Sequence, residues 1–382
     1  MWPWAPLGLT TVTAALLALP VTPALYELWK RGDAAPLPTS RHDGRIANFA
    51  EIFHSRLAPL RPQLERCRTQ REVFLTSIDG MQVLLVGSNS EDFDFHPSLT
   101  ECVDAIMLSQ PALVPAGTVV EADLCTDSIL ELGEGSALRA ARGASDIILG
   151  KNSVVLRWLH ADGTIRLRPG STAYGRISAG QSIWLEPGCV FEHMHSPQIL
   201  TVDSHQGDVD QRDTKYVPSK IHVCQNHVCQ TQEGTREDPQ PAVLDGTDAS
   251  DAFTSSRKRI RIQGDFVLAA GETLSANVIA TGEIRLGHGA HLFGTAKSYK
   301  DTVIEQDACV HGGIVCGGTV ELGPRSFVTG PLLAEADVFI ARGTRVGEPD
   351  ALTTISSCRI QIAAGCRLHG TVWARVRGSV EV

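Results

Sequence analysis

From Leu268 onward an aliphatic or small residue recurs every six positions, and every third one heads a more specific hexad. That hexad reads aliphatic, any, any, Gly, small, as in Leu286-Gly-His-Gly289-Ala290 and Ile340-Ala-Arg-Gly343-Thr344. The same phrase occurs earlier, as Leu132-Gly-Glu-Gly135-Ser136 and Leu185-Glu-Pro-Gly188-Cys189. The hexad heads are Val114, Leu132, Leu149, Leu167 and Leu185, then Leu268, Leu286, Ile304, Leu322, Ile340 and Ile362. Their spacing is 18 residues, apart from one interval of 17 and one of 22. The fourth hexad position is Gly in eight of the eleven, Asn152 and Asp307 in two, and Arg325 as the one exception. Gly, Asn and Asp best tolerate the left-handed conformation, so a tight turn is expected at a constant place in every repeat. A second set, Gly175, Gly294, Gly312, Gly330 and Gly370, marks another face.

Six residues make a short strand plus a corner, and three such units make a triangular coil of eighteen. Stacking such coils in parallel puts the heads in an inner column about 4.8 Å apart. The expected fold is all-β: a parallel β-helix with one N-terminal transmembrane helix. A small inner column is expected from Ala280, Ser298, Cys316 and Ala334, with Ala144, Ala161 and Ala179 in the first array. Inward Ile284, Val320 and Val338 compensate for it. A β-sandwich has no reason for a constant interval of eighteen.

Composition agrees, with 35 glycines and only 5% aromatic residues. The formal charge of −9 argues against a nucleic-acid partner, because phosphate contacts need a basic surface. No P-loop or dinucleotide-binding glycine motif is present, and no cofactor is expected.

Five regions are expected: an anchor at 1–30, a linker and juxtamembrane region at 31–111, a first array at 112–200, a polar insertion at 201–260 and a second array at 261–382. The stretch from Ala5 to Tyr26 is uncharged and spans roughly 33 Å as a helix, enough to cross a bilayer. Trp2, Trp4, Tyr26 and Trp29 flank it as interfacial rings do. A cleaved signal peptide would carry a basic leading segment, which is missing here. Lys30, Arg31, Arg41 and Arg45 follow the span, which places the bulk of the chain in the cytoplasm. Ile46, Phe49, Ile52, Phe53 and Leu57 have helical spacing, suited to a membrane-surface helix or, more commonly, a cap on the solenoid. Val83–Val86 reads as a buried strand leading into the first array.

Ten cysteines do not imply a disulfide framework in a chain of this size. Cys189 and Cys366 stand at inward small positions, as apolar fillers. Within the insertion, His222, Cys224, His227 and Cys229 carry the ligand types of a zinc site, but their alternating order differs from the usual paired spacing, and a duplicated polar loop is the plainer reading. His193 and His195 share a strand face and read as a surface pair, while Asp92, Asp94 and His96 read as loop residues. Hexapeptide β-helices also host acyltransferases with a histidine base. Candidates for that role are His288, His291, His311 and His369, all at corner or outward positions where a solvated histidine needs no function.

The phrases Val310-His-Gly-Gly-Ile314, Val328-Thr-Gly-Pro-Leu332 and Val338-Phe-Ile340, within a stretch from Ala276 to Gly347, resemble the bactofilins, the polymer-forming cytoskeletal family of bacteria. The resemblance implies a right-handed β-helix that polymerises end to end without nucleotide, associates with the inner membrane and scaffolds envelope or polysaccharide-synthesis proteins. Two arrays, a membrane span and the wider interval between Ile340 and Ile362 set this chain apart from the usual pattern. The functional expectation is a membrane-anchored structural scaffold that self-associates and has no catalytic site, with a hexapeptide acyltransferase acting on an envelope saccharide as the alternative.

Overall fold

The computed structural model describes residues 46–87, 95, 102–202 and 258–381. The expected anchor at 1–30 and nearly all of the insertion lie outside these residues. Among the described residues no helix is long and apolar enough to cross a membrane.

The described residues open with two short helices, α1 (Asn48–Leu57) and α2 (Arg61–Gln70). An antiparallel hairpin follows, β1 (Val73–Ile78) and β2 (Met81–Val86). From β2 onward the strands stack in parallel, forming a β-solenoid of about 13 turns. Stacking starts before residue 112, because β2 pairs with the Ala105–Leu108 strand, which pairs in turn with residues 123–126. In the second array, three strands per coil repeat in strict register: Val278 opposite Ala296, Leu286 opposite Ile304, Leu292 opposite Val310.

All eleven fourth-position residues are left-handed, and this explains the hexad. Gly117, Gly135, Gly170, Gly188, Gly271, Gly289, Gly343 and Gly365 have positive φ, as do Asn152, Asp307 and Arg325 at 55°, 57° and 58°. Arg325 is therefore an exception in residue type only. At most of these corners the left-handed turn aims the backbone N–H at the neighbouring coil. Gly271 donates to the His288 carbonyl, Gly289 to Gln306, Asp307 to Pro324 and Arg325 to Arg342. Such corners thus continue the inter-coil hydrogen bonding of the strands.

In the second glycine set, Gly175 and Gly370 also have positive φ, but Gly294, Gly312 and Gly330 have a different cause. At Gly294 and Gly312 φ is unremarkable, but a Cβ would collide with the carbonyl oxygen of the coil beneath, that of Ala276 and of Gly294 respectively. Backbones of successive coils approach too closely there for any side chain.

Inside, the eleven heads are buried. In nine of the eleven coils the residue after the corner is small and buried too, Thr118 and Glu272 being the others, and Ser136, Ser153 and Ser171 donate to carbonyls of the coil beneath. Cys189 and Cys366 occupy the same position, and burial pushes the Cys189 thiol up to about 12. The small column holds with one correction. Gly143 pairs opposite Ala161, while Ala144 is only half-buried beyond the strand, because the 17-residue coil shifts the register by one.

The helices do not cap an end. They lie along the flank of the first array, where Phe53, Leu57, Leu64 and Cys67 cover the outward side chains of Val83, Leu85, Met107, Cys125 and Trp158. Phe53 meets Trp158 edge to face at 5.2 Å. Of the expected α1 stripe, Phe53 and Leu57 are buried in this second core, while Phe49 and Ile52 stay about half-exposed.

The two arrays share one continuous hydrophobic core. The Val190–Thr201 strand, last of the first array, pairs antiparallel with the Arg367–Val380 strand, last of the second. The arrays are joined tail to tail, so the chain between residues 202 and 258 connects this seam to the far end of the second array. The edge of the Arg367–Val380 strand is occupied by the first array.

Candidate functional site

The four zinc-ligand candidates His222, Cys224, His227 and Cys229 lie outside the described residues, as do Asp92, Asp94 and His96. His193, His195 and His369 belong to the seam, and the first two are not a surface pair. The His193 ring packs edge-on against Trp373 at 5.0 Å. His195 Nδ1 shares a 2.9 Å hydrogen bond with Thr371 Oγ1, and His369 Nδ1 donates to the Pro197 carbonyl at 2.8 Å. These three histidines tie the arrays together. Burial holds the His193 imidazole below its usual pKa.

On the flank, Arg142, His160 and Ser178 follow one another at successive coils. His160 shares a 2.7 Å hydrogen bond with the Ser178 hydroxyl through Nδ1, and its Nε2 lies 3.0 Å from Asp162 Oδ1. Arg142 donates to the other oxygen of Asp162 at 2.9 Å. Those are the contacts of a nucleophile, base and orienting carboxylate. Ser178 is only 4% exposed, however, and a nucleophile must reach its substrate. The group acts as a buried polar ladder between coils. Burial lowers the His160 pKa despite the Asp162 contact. The eighteen-residue offset from His160 to Ser178 is the sequence signal for it.

On the second array, His291 and Cys309 are register partners, and His311 lies two residues beyond Cys309. Ligand atoms of the three side chains all lie within 4.8 Å of one another. Each is half-buried. Phe293 stacks on His311 at 4.3 Å with rings 3° from parallel, and Phe327 meets His311 edge-on at 6.3 Å. Burial, then the neighbouring His291, lowers the His311 pKa, and burial raises that of Cys309. The two histidines are thus partly sheltered members of a cluster rather than the solvated surface residues expected of them. Cys309 does not stand out in the sequence, although adding 18 to 291 reaches it.

His288 is exposed at a corner, its Nε2 3.4 Å from Asp307 Oδ2. It helps line an open groove of about 800 Å³ whose other walls include Glu305, Glu321, Phe339, Arg342 and Gln361.

The first coil of the second array forms an open end. Ile260, Ile262, Phe266 and Leu274 point inward but are only half-buried. Their register partners one coil on, Val278, Ala280, Ile284 and Leu292, are 0% exposed. Among the described residues the strands of this coil pair on one side only. The first array differs, since Phe95, at 2% exposure, packs into its core with Val103.

No family model matches the chain, and neither a curated protein nor a solved structure matches it.

Proposed function

We propose that the protein is a membrane-tethered structural scaffold that self-associates through the open end of its second array. The observation that carries this reading is the half-exposed inner column at Ile260, Ile262, Phe266 and Leu274, beside strands that pair along one edge only among the described residues. Unpaired N–H and C=O groups beside exposed apolar side chains are a template for another chain. Within the molecule, the seam between residues 190–201 and 367–380 offers a precedent for joining two solenoid ends in antiparallel fashion. A second copy meeting the same end would form an isologous contact, which closes as a dimer. Filaments need the β1 end as well, where Val73, Phe74 and Leu75 are about half-exposed. The uncharged stretch from Ala5 to Tyr26 supplies the tether, and envelope or polysaccharide-synthesis proteins are the partners such a scaffold would organise.

Mass measurement and electron microscopy of the detergent-solubilised full chain test this. Dimers or filaments that dissociate on Phe266→Lys support the reading. A monomer at high concentration overturns the self-association.

A second reading, an acyltransferase of the hexapeptide class, draws on the groove beside His288 and on the His288–Asp307 pair. Asp307 is already held by Arg325, which weakens it as an orienting carboxylate. Absence of a thermal shift with coenzyme A and acyl donors leaves this reading without support.

A further inference from the structure

We propose that His291, Cys309 and His311 form a transition-metal site of Zn²⁺ chemistry, with three protein ligands and a fourth position open to solvent. Two imidazoles and a thiolate are the donor set that suits zinc and other borderline-to-soft cations. The three donors come from two adjacent coils of a rigid, in-register sheet, so their separation is set by the scaffold. Their ligand atoms all lie within 4.8 Å of one another, an upper bound that stands above the ~3.5 Å that bonds of about 2.0–2.3 Å impose between tetrahedral ligands. Side-chain rotation at this half-buried surface closes that difference.

Aromatic stacking accounts for Phe293 lying over His311, but stacking requires neither a thiol nor a second imidazole at the same spot. Phe293 and Phe327 wall the cluster with apolar rings, and such a shell strengthens the metal–ligand electrostatics. Coordination through the thiolate releases the thiol proton. The site is independent of the end-to-end contact, lying on the solenoid's side.

The test uses the full detergent-solubilised chain titrated with Co²⁺ and Zn²⁺. Co²⁺ bound to a thiolate gives a near-ultraviolet charge-transfer band that carbonyl or imidazole ligands alone do not. The band is expected in the wild type and in the Cys224→Ser/Cys229→Ser double variant, and is expected to vanish in Cys309→Ser. His291→Ala is expected to weaken Zn²⁺ binding by about 100-fold or more, since losing even an outer partner costs about 10–100-fold. Unchanged metal-free melting of both variants shows that they fold. No thiolate band in the wild type, or a band that survives Cys309→Ser, overturns the proposal.

Discussion

Arg325 grips Asp307 from one coil away through two hydrogen bonds, Nε to Oδ1 at 2.7 Å and Nη2 to Oδ2 at 2.6 Å. Both residues stand in the left-handed conformation that their neighbours in the corner column reach with glycine. The fork-to-fork pair holds two non-glycine corners in register at the solenoid surface. Hydrogen bonding to Arg325 comes first among the causes that lower the Asp307 pKa, from 3.8 to about 2.

A depressed carboxylate pKa stabilises the fold above the unfolded value and loses that effect as pH falls through the folded value. Asp307→Asn keeps the tolerance for a left-handed turn and removes the charge. Its melting temperature is expected below the wild type at neutral pH. The gap should close between pH 3.8 and about 2, and shrink in high salt because the pair is exposed. Calorimetry across that range, at two ionic strengths, checks this.

The two glycine sets separate on substitution by alanine. Gly289 has φ +64° and open space where a methyl group would stand, so Gly289→Ala should cost only the left-handed strain, about 1–2 kcal/mol. At Gly312, where φ is ordinary, alanine would thrust Cβ into the Gly294 carbonyl oxygen, a backbone atom that cannot rotate away. Gly312→Ala should therefore cost more, about 3 kcal/mol or above. Denaturant unfolding of the two variants, side by side, decides it.

At the seam, Phe191 is fully buried and its ring fills the space that a side chain at 378 would take. Phe191→Ala is expected to destabilise by about 3–5 kcal/mol. Because the lost contact lies between the arrays, the single thermal transition should split into two. A calorimetric trace with one cooperative peak would count against the seam as the boundary between two folding units.

Beneath the flank helices, Cys125 is 2% exposed and burial pushes its thiol up to about 11. It should resist a thiol reagent in the native protein. Phe53→Ala removes the ring that α1 packs against Trp158 and should make Cys125 reactive at neutral pH while the solenoid persists. Mass spectrometry of labelled peptides reads the outcome directly.

Much of the coil is legible in the sequence because its determinants repeat at short range. The heads, the small column and the glycine corners each answer to a local need: burial, a narrow interior, or a positive φ. Ala144 falls outside the small column because a coil of seventeen moves the register by one residue, a shift that only the paired strand reveals. The flank helices show their apolar stripe through Ile46, Phe49, Ile52, Phe53 and Leu57, but that Phe53 and Leu57 alone of these are buried depends on an outward row of Val83, Leu85, Met107, Cys125 and Trp158 that the hexad repeat does not specify. The His291–Cys309–His311 cluster is within reach of the eighteen-residue arithmetic, which fixes neighbours across coils as surely as within them.

Sequence alone determined that this chain winds into stacked parallel coils with left-handed corners, because the same hexad chemistry returns once in every coil. Only the tertiary structure decided how the two arrays meet. The seam pairs His195 with Thr371, 176 residues apart, and turns parallel stacking into antiparallel pairing at a single place. An interface used once leaves no period to read. A strand edge accepts either direction of partner through the same backbone groups, so the pairing rests on side chains such as Phe191 and Trp373, and on the bare Gly378, that meet only when the chain is folded.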